Sequence, residues 1–193
     1  HLLYLHGFRS SPASAKARLT ADWVRRHRPD LVWACPQLPP DPAQALRETE
    51  ALLAGWPAGR FALIGSSLGG FYATVLAERH GAPSVRLNPA VDPARDLSAH
   101  LGPQTAWHDS ASSFEFTRAH VEALRAMTPG ALRHNGRALA IVAEGDEVLD
   151  WREMCARHEG ALIKRIAGSD HALARYGTDH LPDIVRFLRL DPA

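Results

Sequence analysis

Phe61-Ala62-Leu63-Ile64-Gly65-Ser66-Ser67-Leu68-Gly69-Gly70-Phe71-Tyr72 is the stretch on which the reading of this chain turns. Residues 61–64 form a short apolar run with the character of a buried strand, and residues 70–79 have that of a helix. Between them, Gly65-Ser66-Ser67-Leu68-Gly69 fits G-x-S-x-G, the pattern of a serine on a sharp strand-to-helix turn. Such a turn lifts the hydroxyl clear of the sheet. Glycines flank it because a side chain at either position would crowd the strained backbone. The helix that begins behind Ser67 places a positive dipole end near any oxyanion formed there. The five-residue pattern alone arises by chance, and its strand–turn–helix setting makes it specific.

Outward from this turn, short apolar runs alternate with helical stretches. Strands are expected at 2–5, 31–35, 84–88, 138–143 and 161–166, in addition to 61–64. Helices are expected at 15–28, with Leu19, Trp23 and Val24 on one face, and at 43–54 and 181–188. A proline-rich segment, 36–42, ends the second strand. Strands apolar on both faces and separated by helices indicate a parallel sheet covered on both sides. The expected fold is therefore a single α/β domain over 1–193, a three-layer sandwich around a mostly parallel sheet of about six strands. In such sheets the site lies beyond the carboxyl ends of the strands. Residues 92–137 break the rhythm. They contain Trp107, Phe114, Phe116 and Met127, with a helix expected over 113–126. This segment reads as a cap inserted over the site, its aromatics serving mainly as core.

The chain has 193 residues, 46% hydrophobic and 22% charged, with a net charge of +1. That balance gives no electrostatic case for nucleic acid or an anionic membrane. The basic cluster Arg25-Arg26-His27-Arg28 sits where it complements a helix C-terminus. Cys35 and Cys155 are too few for a disulfide framework and read as free thiols in a reducing compartment. No apolar run approaches the roughly 20 residues of a membrane span. The chain opens on a strand with no signal-peptide pattern, so a cytoplasmic location is expected. His100, His108 and Asp109 are too loosely spaced to suggest a metal site. No P-loop or dinucleotide fingerprint is present, and no cofactor is expected.

The residues able to do chemistry follow strands. His6-Gly7-Phe8 follows the first, Ser67 the third, Glu144-Gly145-Asp146-Glu147-Val148-Leu149-Asp150 the fifth, and Gly168-Ser169-Asp170-His171 the sixth. Serine, aspartate and histidine occur in that order, unlike the orders of chymotrypsin-like and subtilisin-like enzymes. A serine hydroxyl needs a base at neutral pH, histidine is suited to be that base, and a carboxylate on the far ring nitrogen sets its tautomer. Ser67 is assigned as nucleophile, His171 as base and Asp146 as acid, with Asp150 as the alternative acid. Asp170 adjoins the base in sequence and is a poor candidate. The backbone N–H groups of Leu68 and Phe8 are the expected oxyanion donors. Phe8, Phe71 and cap aromatics are expected to wall a modest acyl pocket. His6 is expected to hold its loop by hydrogen bonds.

Larger blocks carry a resemblance. Tyr4-Leu5-His6-Gly7-Phe8, Ser10-Ser11-Pro12 with Lys16, Gly65 to Ala73, Leu87-Asn88-Pro89-Ala90-Val91, Gly145 to Asp150 and Asp170-His171 resemble the YqiA-like bacterial esterases of the α/β-hydrolase superfamily. The likeness runs over nearly the whole chain; Arg9 and Trp151 are neighbouring positions where variation is expected. It implies a small cytoplasmic hydrolase acting on carboxylic esters, or on acyl-CoA thioesters, with its triad on Ser67, Asp146 and His171. A binding protein that has lost turnover, and perhydrolysis or C–C bond cleavage on the same scaffold, are the alternatives. The acyl group, the leaving group and the oligomeric state are not encoded in any motif.

Overall fold

In a computed structural model, residues 1–106 and 113–191 are described. In chain order the elements are β1 (Leu2–Leu5), α1 (Ala15–His27), β2 (Trp33–Ala34), α2 (Pro42–Ala54), β3 (Ala62–Ser66), α3 (Leu68–His80), β4 (Ser84–Leu87), α4 (Pro93–Leu97), β5 (Gly102–Thr105), β6 (Ser113–Phe116), α5 (Arg118–Met127), β7 (Ala138–Ala143), α6 (Trp151–Arg157), β8 (Leu162–Ile166) and α7 (Leu181–Phe187). A π-helical turn, Tyr176–His180, leads into α7. Six strands form one sheet in the order β2-β1-β3-β4-β7-β8, and every pairing is parallel.

Alternation along the strands sorts the core into two layers. Leu3, Leu5 and Leu63 face α2, α3 and α5, while Leu2, Tyr4, Ile64, Val85, Leu87, Leu139 and Ile141 face α1 and α7. Both faces are covered, which is why the central strands read as unbroken apolar runs. Helix α3 is buried from Leu68 through Ala77 and so shows almost no polar face. No helix among the described residues is long and apolar enough to cross a membrane.

Several elements differ from the expectations. Strand β2 shrinks to two residues because it is an edge, paired only to β1. The helix expected over 113–126 begins at Arg118. Phe114 and Phe116 alternate with polar residues, a strand period, and β6 pairs antiparallel with β5. Thr117 stays extended and accepts from His120 N–H, while His120 Nδ1 accepts from Thr117 N–H, a reciprocal cap that starts α5. Within the expected cap, α5 packs on α2 and α4 and buries Val121 and Leu124 in the main core. It serves as the crossover helix between β4 and β7. Trp107, His108 and Asp109 lie outside the described residues. Helix α6 adds to the expected set. It is capped by Asp150, whose carboxylate accepts from Arg152 N–H at 2.8 Å.

One strand residue breaks the apolar rule. Arg86 is fully buried in β4. Its Nη1 donates to Asn135 Oδ1 and to His158 Nδ1, both at 2.8 Å, and its Nε to Ser84 Oγ at 3.2 Å. As the acceptor, His158 is neutral. Burial, and then the neighbouring Arg86 and Arg157, push its imidazole down to about 3. In the unfolded chain the same group titrates near about 6.5. Between these values only the unfolded state takes up the proton. Stability is thus fully present above the unfolded value and is lost as pH falls toward the folded one, by up to about 1.4 kcal/mol per pH unit. Denaturant midpoints measured from pH 7 down to pH 4 should fall with this slope in the wild type and with a shallower one in His158→Asn. Equal slopes would remove His158 from the account.

Candidate active site

Helix α3 follows β3 with no spacer, so the residue between them must reverse direction within one peptide. Ser67 does so at φ 56°, ψ −121°, a left-handed conformation costing about 1–3 kcal/mol in a non-glycine residue. A Cβ on Gly65 would lie 2.0 Å from Gly69 O, and one on Gly69 would lie 2.0 Å from Leu5 O. Both neighbours are backbone atoms that cannot move aside, so both glycines are obligatory. The turn is locked from the far side as well. Ser67 N–H donates to Leu87 O at 2.9 Å, and Ser67 O accepts from Ala90 N–H at 3.1 Å.

The loop after β1 lies against this serine. A Cβ on Gly7 would stand 3.3 Å from Ser67 Cβ and 3.7 Å from its Oγ. His6 shapes the loop. Its Nε2 accepts from Leu38 N–H at 3.0 Å, so the ring proton is on Nδ1 and donates to Gly7 O at 3.0 Å. The amide of Leu68, at the first position of α3, has no acceptor inside the helix. Neither it nor the amide of Phe8 is spent on another protein group among the described residues. The two free donors named from the sequence therefore flank the nucleophile candidate.

Asp146 and His171 meet. His171 Nδ1 donates to Asp146 Oδ2 at 2.7 Å, and the aspartate side chain is completely buried. Oδ1 of Asp146 accepts from Val148 N–H at 2.8 Å and Leu149 N–H at 2.9 Å. Three bonds fix the carboxylate and leave its charge facing the imidazole. With the proton on Nδ1, Nε2 is the free basic atom. Asp150 is occupied at the start of α6. Among the described residues Ser67 Oγ makes no hydrogen bond; such contacts are often long without substrate.

The sequence reading misses the residues that tie these parts together. Asn88, almost fully buried, donates from Nδ2 to His171 O at 3.1 Å and to Asp170 O at 3.2 Å, and accepts at Oδ1 from Ala143 N–H at 2.8 Å. His171 is thus tied to the residue just after Leu87, whose carbonyl accepts from Ser67 N–H. Glu147 accepts from His171 N–H at 3.0 Å. The available signal is an asparagine closing a buried strand at the sheet's active edge.

A cleft of about 210 Å³ opens next to the elbow, walled by Gly7, Phe8, Leu38, Leu68, Tyr72 and Phe114, with Ser67 and His171 outside its walls. Phe71, expected in this wall, instead lies in the core at 2% exposure. On a helix entered from the elbow, the next residue, Tyr72, turns toward the opening. Burial pushes the Tyr72 phenol well up, with Asp41 adding to the effect. Phe8 packs edge-on against Phe114 and Phe116, with centroids at 5.8 and 5.1 Å. Arg9 Nε donates to Thr105 O at 2.6 Å. Strands β5 and β6 thereby roof the cleft. No three His, Cys, Asp or Glu side chains group as metal ligands among the described residues.

Comparisons with known proteins agree with this architecture. A model of an uncharacterised protein family, UPF0227, matches residues 1–189 and bears out the family resemblance read from the sequence. Est1E from Butyrivibrio proteoclasticus superposes with a TM-score of 0.68 at 13% identity, over 98% of this chain and 86% of that one. Alpha/beta hydrolase domain-containing protein 10 from mouse gives the same values. The Pyrococcus furiosus esterase PF2001 gives 0.65 at 14% identity, over 100% and 82%. At these identities the likeness is one of fold, and the fold is that of the α/β-hydrolases.

Proposed function

We propose that this chain, which belongs to the uncharacterised protein family UPF0227, is a serine hydrolase that cleaves carboxylic esters through an acyl-enzyme. One observation carries the reading. A buried aspartate holds the Nδ1 proton of a histidine at 2.7 Å, and that histidine's backbone hangs from the strand end that also anchors the elbow serine.

In this reading Ser67 Oγ attacks the acyl carbonyl while His171 Nε2 takes its proton. Asp146 stabilises the imidazolium that forms. The oxyanion is received by the amides of Leu68 and Phe8, and each such donor is worth about 3–4 kcal/mol. His171 then gives the proton to the departing alcohol, and water repeats the sequence on the acyl-enzyme. Acyl-CoA thioesters would pass through the same intermediate. The cleft, at about 210 Å³, is below the roughly 300–1,000 Å³ of sites for drug-sized ligands, so acyl groups of a few carbons suit it best.

Fluorophosphonate labelling followed by peptide mapping tests the assignment. Wild type should carry the label on Ser67, and His171→Ala should not label. A protein that retains the fold only to bind would stay unlabelled, and that outcome would retire the proposal. A panel of short p-nitrophenyl esters, acyl-CoA thioesters and a peracid assay then reads the leaving group and the acceptor.

A further inference from the structure

The chain has 22 lysines and arginines, and only Lys16 and Lys164 are lysines. Both ammonium groups end on the same short segment, the one that begins with His171. Lys164 Nζ donates to Asp179 O at 2.9 Å and to Asp183 Oδ2 at 2.5 Å, at the far end. Lys16 Nζ donates to Ala172 O at 2.6 Å, next to the histidine.

Lys16 stands where helix physics disfavours it. It is the second residue of α1, whose first turn has no acidic side chain. A cation there opposes the helix dipole by about 0.3–1 kcal/mol. Its ammonium is also partly desolvated, and burial pushes it down, against the pull of Asp170 and Asp146. The backbone of the same residue joins the clamp. Thr20 Oγ1 donates to Lys16 O at 2.8 Å, so its 2.8 Å contact with the Tyr176 hydroxyl has the phenol as donor. Thr20 and Tyr176 are both 1% exposed. The first turn of α1 is therefore bolted to 172–176 twice, once through the lysine side chain and once through its carbonyl. A single carbonyl acceptor suits a compact ammonium, while a planar guanidinium would bring further donors in a fixed fork.

We propose that Lys16 is a positioning residue for His171. Its bond to the Ala172 carbonyl, with the Tyr176–Thr20 relay, holds the backbone from which the imidazole bonds Asp146 through Nδ1 and keeps Nε2 for its role as base. The inference rests on reading His171 as the base. Among the described residues the braces on the histidine then number four: Asp146 at Nδ1, Glu147 at N–H, Asn88 at the carbonyl and Lys16 one residue on. Of these four, Lys16 alone is contributed by a helix.

The test uses the whole chain. Lys16→Met keeps the length of the side chain and removes the donor. It should lower kcat on short p-nitrophenyl esters by roughly tenfold or more, as sub-ångström to 1 Å misplacements do, with KM within about twofold. Lys16→Arg should recover only part of this loss. The far-downfield imidazole N–H resonance of the Asp146–His171 pair should broaden in Lys16→Met. Tyr176→Phe, which preserves packing, should broaden it less and lower kcat by a few-fold. Unchanged kcat and an unchanged resonance in Lys16→Met and Tyr176→Phe would overturn the proposal. The resonance does not depend on turnover. If wild type shows it but hydrolyses no ester, the esterase reading fails while the positioning of His171 is still measured.

Discussion

Ser67→Ala is expected to lower kcat for short p-nitrophenyl esters by about five to six orders of magnitude, with KM changed little. The size follows from what remains. Removing a serine nucleophile leaves oxyanion donors and binding, which in comparable sites retain only about 10³–10⁴ over water. Here the amides of Leu68 and Phe8 belong to backbone that does not depend on the Ser67 hydroxyl. Ser67 N–H bonds to Leu87 O, and Ser67 O receives Ala90 N–H; the substitution leaves both backbone bonds in place. The elbow should therefore stand, and the melting temperature should stay close to wild type. Alanine pays the same left-handed backbone cost that serine does. Initial rates and a melting curve on the same preparation settle the matter: equal rates in wild type and variant would sink the esterase reading.

Asp146→Asn should cost about 10⁴-fold in kcat, the scale seen when a triad acid becomes an amide. The bonding in this site says why. The amide oxygen of the substituted side chain would stay with Val148 N–H and Leu149 N–H, because those donors fill Asp146 Oδ1 in the native chain. Its NH₂ must then face His171 and can only donate. The imidazole has to accept at Nδ1 and carry its proton on Nε2, where it can no longer take one from Ser67. Asp150→Asn is the matched control. Asp150 caps α6 through a bond from Arg152 N–H, and asparagine caps helices about as well. Its kcat should stay within about twofold of wild type. A larger loss in Asp150→Asn than in Asp146→Asn would exchange the two roles.

The fold is legible where burial writes directly into composition. Strands β1 and β7 occur at the residues expected of them, since both are buried on two faces and read as plain apolar runs. The site is legible for a related reason. In a parallel sheet the residue after a strand has a known place, so Phe8, Ser67, Asp146 and His171 fall along one edge from the order of strands alone. What fails is short or marginal. Strand β2 has one neighbour only, and the apolar run around it is longer than the pairing uses. Phe114 and Phe116 are drawn into the expected helix because Arg118 to Met127 behind them has a strong helical period. The cleft wall goes to Tyr72 and not Phe71, a rotation of one residue on a helix buried all round, where periodicity carries no signal. The braces on His171 are invisible for another reason. Lys16 reaches Ala172 across 156 positions of chain and Asn88 reaches His171 across 83, and no local pattern encodes such a meeting.

Leu87 and Asn88 are consecutive, and they serve different partners: one holds the amide of Ser67 and the other the carbonyl of His171. This sets limits on how the protein can diversify. Adding or deleting one residue in β4 would turn Asn88 to the opposite face and separate the two anchors at once. Strands β5 and β6 bear on the site differently: their described residues bond none of Ser67, Asp146 and His171, but they pack on Phe8 and hold Arg9 in the loop after β1. Under the proposed function, changes in this roof would alter both the acyl groups that fit and the placement of the Phe8 amide, while the strand beneath keeps its length.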